Sequence, residues 1–167
     1  WEENLAQTAQ VVAEAHARGV AVEAELGEVG GKDGVHAPGA RTDPAEAARF
    51  VADTGVDALA VAVGSSHAMT ERTARLDLDL IAALRGAVPV PLVLHGSSGV
   101  SDDQMGRAIR AGMVKINIST HLNKVMSEAL GGYLAENPAA VDPRKYLGSA
   151  RVALQAEATR LLGVVAG

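Results

Sequence analysis

The apolar positions of this chain change their spacing several times, and each change marks a predicted element. From Glu3 to Arg18 they recur at helical spacing, with Leu5, Thr8, Val11, Val12 and Ala15 on one face and Gly19 as the stop. Val20 to Leu26 reads as a strand in which Glu23 and Glu25, two residues apart, point to one face. Two carboxylates on one face of a short apolar strand are costly unless they meet a cation or hydrogen-bond donors. Gly27 to Pro44 has no period and contains Val29-Gly-Gly-Lys-Asp-Gly34, and a loop of that length in a compact domain is usually functional or disordered. Thr42-Asp43-Pro44-Ala45-Glu46 predicts a helix start, with Asp43 as the cap and Pro44 in the first turn; that helix runs to Thr54 and stops at Gly55.

Val56 to Val63 is apolar on both faces after Asp57, as a parallel strand covered on both sides should be, and it ends in Gly64-Ser65-Ser66-His67. A helix over Asp77 to Arg85 leads to a third short strand, Leu92-Val93-Leu94, which ends on His95 and runs into Gly96-Ser97-Ser98-Gly99. Ser101-Asp-Asp-Gln104 is a capping-box pattern, with Gln104 expected to reach back, and it opens a helix to Ala111. Met113 to Ile118 is the fourth strand and His121 to Leu134 the next helix, broken by Asn137-Pro138. A last helix, Pro143 to Val164, carries Leu147, Val152, Leu154, Leu161 and Leu162. One helix, four βα units and an extra helix predict an α/β fold: a parallel sheet with right-handed crossovers, in a single domain over residues 1–167.

Composition narrows the function. Nearly half the residues are apolar (48%), but only one Trp, two Tyr and one Phe are present, so Ala, Val, Leu and Gly fill the core. A net charge of −5 without any basic run argues against nucleic acid. The absence of cysteine excludes disulfides and thiolate metal sites, and a reducing, cytoplasmic compartment is expected. No membrane span or signal peptide is expected, and a start at Trp1 inside a helical pattern is not expected to be a natural N-terminus.

The chemistry gathers at one end of the strands. Glu25, His67, His95, and Asn117 with Ser119 and Thr120, lie at the C-terminal ends of four consecutive strands, where parallel α/β proteins place their sites. Two histidines at neighbouring strand ends beside a carboxylate suit zinc, whose catalytic sites generally use three protein ligands. The turn after His95 offers backbone N–H groups near a helix N-terminus, which suits an oxyanion or a phosphate. Lys115 shares a strand face with Asn117 and offers the alternative of a Schiff base. His16, His36 and His121 read as solvated or structural.

The runs Val22-Glu-Ala-Glu-Leu-Gly27, Ala62-Val-Gly-Ser-Ser-His67, Leu92-Val-Leu-His-Gly-Ser-Ser-Gly99, Lys115-Ile-Asn-Ile-Ser-Thr120 and Asp142-Pro-Arg-Lys-Tyr146 occur in one order over most of the chain. In these runs the sequence resembles the zinc-dependent class II ketose-bisphosphate aldolases. The resemblance implies the C-terminal half of a (β/α)8 barrel plus a C-terminal helix. It makes His67 and His95 zinc ligands, with Glu25 at a second or alternative metal position. It gives Gly96, Ser97 and Ser98, with Ile118, Ser119 and Thr120, to binding the phosphate end of dihydroxyacetone phosphate. Asn117 would bond that substrate's reacting end, and Arg144 a far phosphate, often across a subunit interface. The Gly30–Gly34 stretch would be an active-site loop. A second divalent metal and a monovalent cation are further implied ligands, and a homodimer or homotetramer the implied assembly.

The departures from the family pattern are specific. Ala68 and Thr70 stand where the family usually has a glycine and an aromatic, Ser97 replaces a glycine, Ser119 an aspartate, and Lys32-Asp33 a loop glutamate. The first histidine ligand and the proton-transferring aspartate belong to the N-terminal half, so no catalytic residue is expected within this chain. The implied reaction is glycolytic cleavage of fructose or tagatose bisphosphate to dihydroxyacetone phosphate and glyceraldehyde 3-phosphate, with the isolated chain inactive. The competing expectation is a non-catalytic phosphate-binding or oligomerisation half-barrel.

Overall fold

A computed structural model describes residues 1–27 and 40–166. Helix α1 (Glu2–His16) precedes four βα units: β1 (Glu23–Leu26) with α2 (Pro44–Thr54), β2 (Ala58–Val61) with α3 (Leu78–Ala87), β3 (Leu92–Leu94) with α4 (Asp102–Ala111), and β4 (Met113–Ile116) with α5 (Thr120–Glu136). Helix α6 (Pro143–Ala166) folds back on α5 and also touches α4. β1, β2 and β4 are shorter than the runs that signal them, although flanking residues still exchange backbone bonds, Asp57 N–H with the Val22 carbonyl and Asn117 N–H with that of Leu94. All pairings are parallel, in the order β1-β2-β3-β4. Four consecutive βα units in this order are half of an eight-unit (β/α)8 arrangement.

Helix starts follow local chemistry. Asp43 accepts from the Ala45 and Glu46 N–H groups, and Asp77 from that of Leu80. Ser101 accepts from Gln104 N–H, but the expected reciprocal bond is replaced: the Gln104 side chain accepts from Leu76 N–H and ties α4 to the preceding loop. His16 is likewise not simply solvated. Its Nε2 lies 2.9 Å from Asp57, which also takes the Val22 N–H and so fastens the end of α1 to the start of β2.

One sheet face packs the helices, joining Leu59, Val61, Leu92 and Leu94 to Phe50, Ile81, Leu84 and Met105 in one cluster. The register Glu25↔Ala60, Ala60↔Val93, Val93↔Lys115 puts small and charged residues on the other face. There Lys115 Nζ on β4 reaches Glu23 Oε2 on β1 at 2.6 Å. A flat sheet would hold those strands about 14 Å apart; the contact is what a sheet curled into one side of a barrel brings within reach. Ala60 and Val93 are fully buried on that face.

Four large apolar residues on the outer helices stay exposed for one reason. Leu147, Val152 and Leu162 on α6 are exposed, and so is Val11 on α1. Each helix touches its neighbours along a narrow stripe, which for α6 is centred on Ala150 and Leu161. No described helix is long and apolar enough to cross a membrane.

A chain of ion pairs, Arg72–Asp102–Arg160–Glu157, extended by a hydrogen bond between Glu157 and His121, holds α6 in place. Hydrogen bonds from Arg160, against the opposing effect of burial and with help from His121, hold the Glu157 carboxyl down to about 2. A depressed carboxylate stabilises the fold fully above its unfolded value and loses that contribution as pH falls toward the folded one. Stability should therefore decline as pH falls from 4.5 toward 2, by about 1–2 kcal/mol after solvent screening is counted. Urea midpoints for Glu157→Gln should lack this part of the decline; an unchanged pH slope would refute the assignment.

Candidate metal and phosphate site

Glu25 lies in β1, His67 in the turn after β2, and His95 directly after β3. Their ligand atoms all fall within 4.8 Å of one another. The two imidazole rings stand 5.8 Å apart, centroid to centroid, tilted by 55°. The turns that carry them touch backbone to backbone. Gly96 sits at φ +63°, and a Cβ there would lie 2.6–2.9 Å from Ser66 backbone atoms. Only glycine permits this approach, and the approach fixes the distance between the two histidines.

His95 is held from both sides. Its Nδ1 lies 2.5 Å from Glu25 Oε2 and its Nε2 3.0 Å from Glu23 Oε1. Glu23 is held in turn by Lys115. Burial pushes the Glu23 carboxyl up, but hydrogen bonds and charge from Lys115 and His95 outweigh it and leave it below the usual range. The two strand carboxylates thus meet the cation and donor that their placement demanded. Glu23 was absent from the sequence-derived ligand set; its alternation with Glu25 was the signal available. Lys115 is half-exposed and engaged by a carboxylate, which is not the apolar pocket that activates a Schiff-base lysine.

The residues expected around a phosphate divide into two groups. Ser97 and Ser98 form a short 3-10 turn packed against the start of α5, so they, Ser119 and Thr120 share one corner. Ser97 Oγ donates to the Asn117 carbonyl, and Ser98 Oγ accepts from His121 N–H. Ser97, standing where the resemblance expects glycine, therefore ties the β3 turn to the end of β4. Asn117 N–H donates to the Leu94 carbonyl, and Ile118 packs on the core. Ser119 caps α5 without a side-chain bond. Arg144 stands apart: it is 88% exposed and bonds both Asp142 oxygens at the start of α6. Ala68 occupies φ +58°, a left-handed conformation that favours the glycine expected there. Lys32, Asp33, His36 and the Gly30–Gly34 stretch lie outside the described residues.

Residues 1–166 match the family model described as fructose-bisphosphate aldolase class-II. The chain belongs to the class II fructose-bisphosphate aldolase family. Solved structures agree. The YdjI aldolase from Escherichia coli K12 is 36% identical with a TM-score of 0.80, over 98% of this chain and 56% of that one. A candidate fructose-1,6-bisphosphate aldolase from Coccidioides immitis is 31% identical with a TM-score of 0.84, over 98% and 58%. A fructose-bisphosphate aldolase from Campylobacter jejuni, 23% identical with a TM-score of 0.79 over 98% and 57%, shares the fold. The chain therefore spans a little over half the length of these aldolases, as the C-terminal half of such a barrel would.

Proposed function

We propose that this chain is the C-terminal part of a zinc-dependent class II aldolase that cleaves fructose or tagatose bisphosphate. The observation that carries the reading is the convergence of Glu25, His67 and His95. Two imidazole nitrogens and a carboxylate oxygen are a zinc donor set, and these lie within 4.8 Å of one another. The chemistry such an ion supplies is Lewis-acid polarisation of a carbonyl oxygen.

The chain's own residues then bind and orient. The Gly96–Ser98 turn, with Ser119 and Thr120 at the start of α5, offers backbone donors to a phosphate. Anchoring that remote group uses binding energy to orient the reacting carbons. Asn117, just after β4, would bond the substrate near its reacting end. Arg144, exposed beside Asp142, suits a second phosphate, and a subunit interface of a homodimer or homotetramer would bring one to it. A second divalent ion at Glu25 and a monovalent cation near the β2 and β3 turns complete the proposed ligands. A cytoplasmic, glycolytic setting fits this substrate class.

The first histidine ligand and the aspartate that moves the proton would come from the N-terminal half of such a barrel. The 167-residue chain alone is therefore expected to bind zinc weakly and to release no triose phosphate from either bisphosphate. A coupled triose-phosphate assay with added zinc checks this, and retro-aldol turnover by the isolated chain would contradict it. The alternative, a non-catalytic phosphate-binding or oligomerisation module, draws on the two strand edges, β1 and β4, of the described sheet. A module of that kind need not bind zinc, so zinc stoichiometry separates the readings.

A further inference from the structure

We propose that Glu23, held by Lys115, is the positioning residue that orients His95 for metal binding. The inference rests on the metal reading above and adds a residue to it.

His95 meets a carboxylate at each ring nitrogen, and the two carboxylates are not equivalent. Glu25 belongs to the cluster with His67, whereas Glu23 does not. Nδ1, on the Glu25 side, therefore faces the place an ion would share. Nε2 meets Glu23, which lies outside that cluster. With an ion in place of the Glu25 bond at Nδ1, the acceptor at Nε2 would keep the ring proton there and leave the Nδ1 lone pair for the ion. Glu25, now bonded to Nδ1, would have to shift as the ion enters, either to ligate it or to give way. Glu23 has no such alternative. Its backbone is paired in β1 opposite Ala58, and its second oxygen is held by Lys115 from the far side of the curled sheet. The sequence places these groups on one face: Glu23 and Glu25 by their two-residue spacing, and Lys115 by the register with Val93. Glu23 thus sets the ring's orientation and tautomer, and Lys115 sets Glu23.

Carboxylates that support a ligating histidine are worth about 10–100-fold in metal affinity. Zinc affinity of the 167-residue chain, measured by competition with a chromophoric chelator, should fall by that factor in Glu23→Ala. Glu23→Gln, which keeps an acceptor oxygen but loses the ion pair, should fall by less, about 3–10-fold. Both variants should show an altered visible spectrum when loaded with cobalt(II), which a merely structural role would not produce. Lys115→Met should resemble Glu23→Gln. Should Glu23→Ala fail to fold, Glu23→Gln alone decides. Affinity within twofold of wild type and an unchanged cobalt spectrum in that variant, with His95→Ala abolishing binding, would overturn the role of Glu23 and leave the metal reading standing. A wild-type chain that binds no zinc would overturn both.

Discussion

Zinc affinity should collapse in His95→Ala, by more than the hundredfold expected of an outer supporting residue. The side chain is the hinge of the cluster, since it touches Glu25 through one nitrogen and Glu23 through the other and faces His67 across 5.8 Å. Its removal also leaves Glu25 without that bond, while Glu23 keeps Lys115. The cost to folding should be modest, about 1–3 kcal/mol, the range for a partly buried polar group that loses its partner. Chelator competition and a urea titration on the same sample separate the two effects. Near-wild-type zinc binding by a folded His95→Ala chain would remove the basis for a zinc site at these strand ends.

Gly96→Ala should be strongly destabilising for a single added methyl, at roughly 2–4 kcal/mol. The added carbon would face the Ser66 carbonyl carbon, oxygen and amide nitrogen at 2.6–2.9 Å, all of them backbone and unable to rotate away. The left-handed φ of +63° adds a penalty that any L side chain bears. Relief would require separating the β2 and β3 turns, so the variant should also lose zinc affinity without losing a ligand. Gly131→Ala is the control. That glycine lies within α5 with nothing within 4 Å of the added carbon, and the change should raise stability by up to about 1 kcal/mol. A small loss at Gly96, comparable to an ordinary surface change, would show that the two turns are not locked together.

Local rules were legible in the sequence, and partnerships across the fold were less so. The Asp43 cap, the Gly55 stop and the four-strand alternation need only neighbours in sequence, and each is present in the structure. Gln104 also sits where a capping box predicts, yet its side chain satisfies Leu76 N–H, a group brought beside it by the packing of the β2–α3 loop. The apolar residues of α6 do not say which of them find neighbours, and those available cover only a stripe. At the site, strand-end position was enough to single out Glu25, His67 and His95. It could not distinguish the carboxylate facing the cluster from the one behind the ring, because that depends on which nitrogen of His95 each one meets. Nor could it show that the Ser97 and Ser98 hydroxyls bond the end of β4 and the start of α5.

The most direct test is X-ray diffraction from crystals of the zinc-loaded chain, with anomalous data collected on both sides of the zinc absorption edge. The account predicts one strong zinc peak between His67 and His95, with Glu25 beside it. A peak confined to another histidine–carboxylate pair, such as His16 with Asp57 or His121 with Glu157, or no peak between the two strand-end histidines, would contradict it.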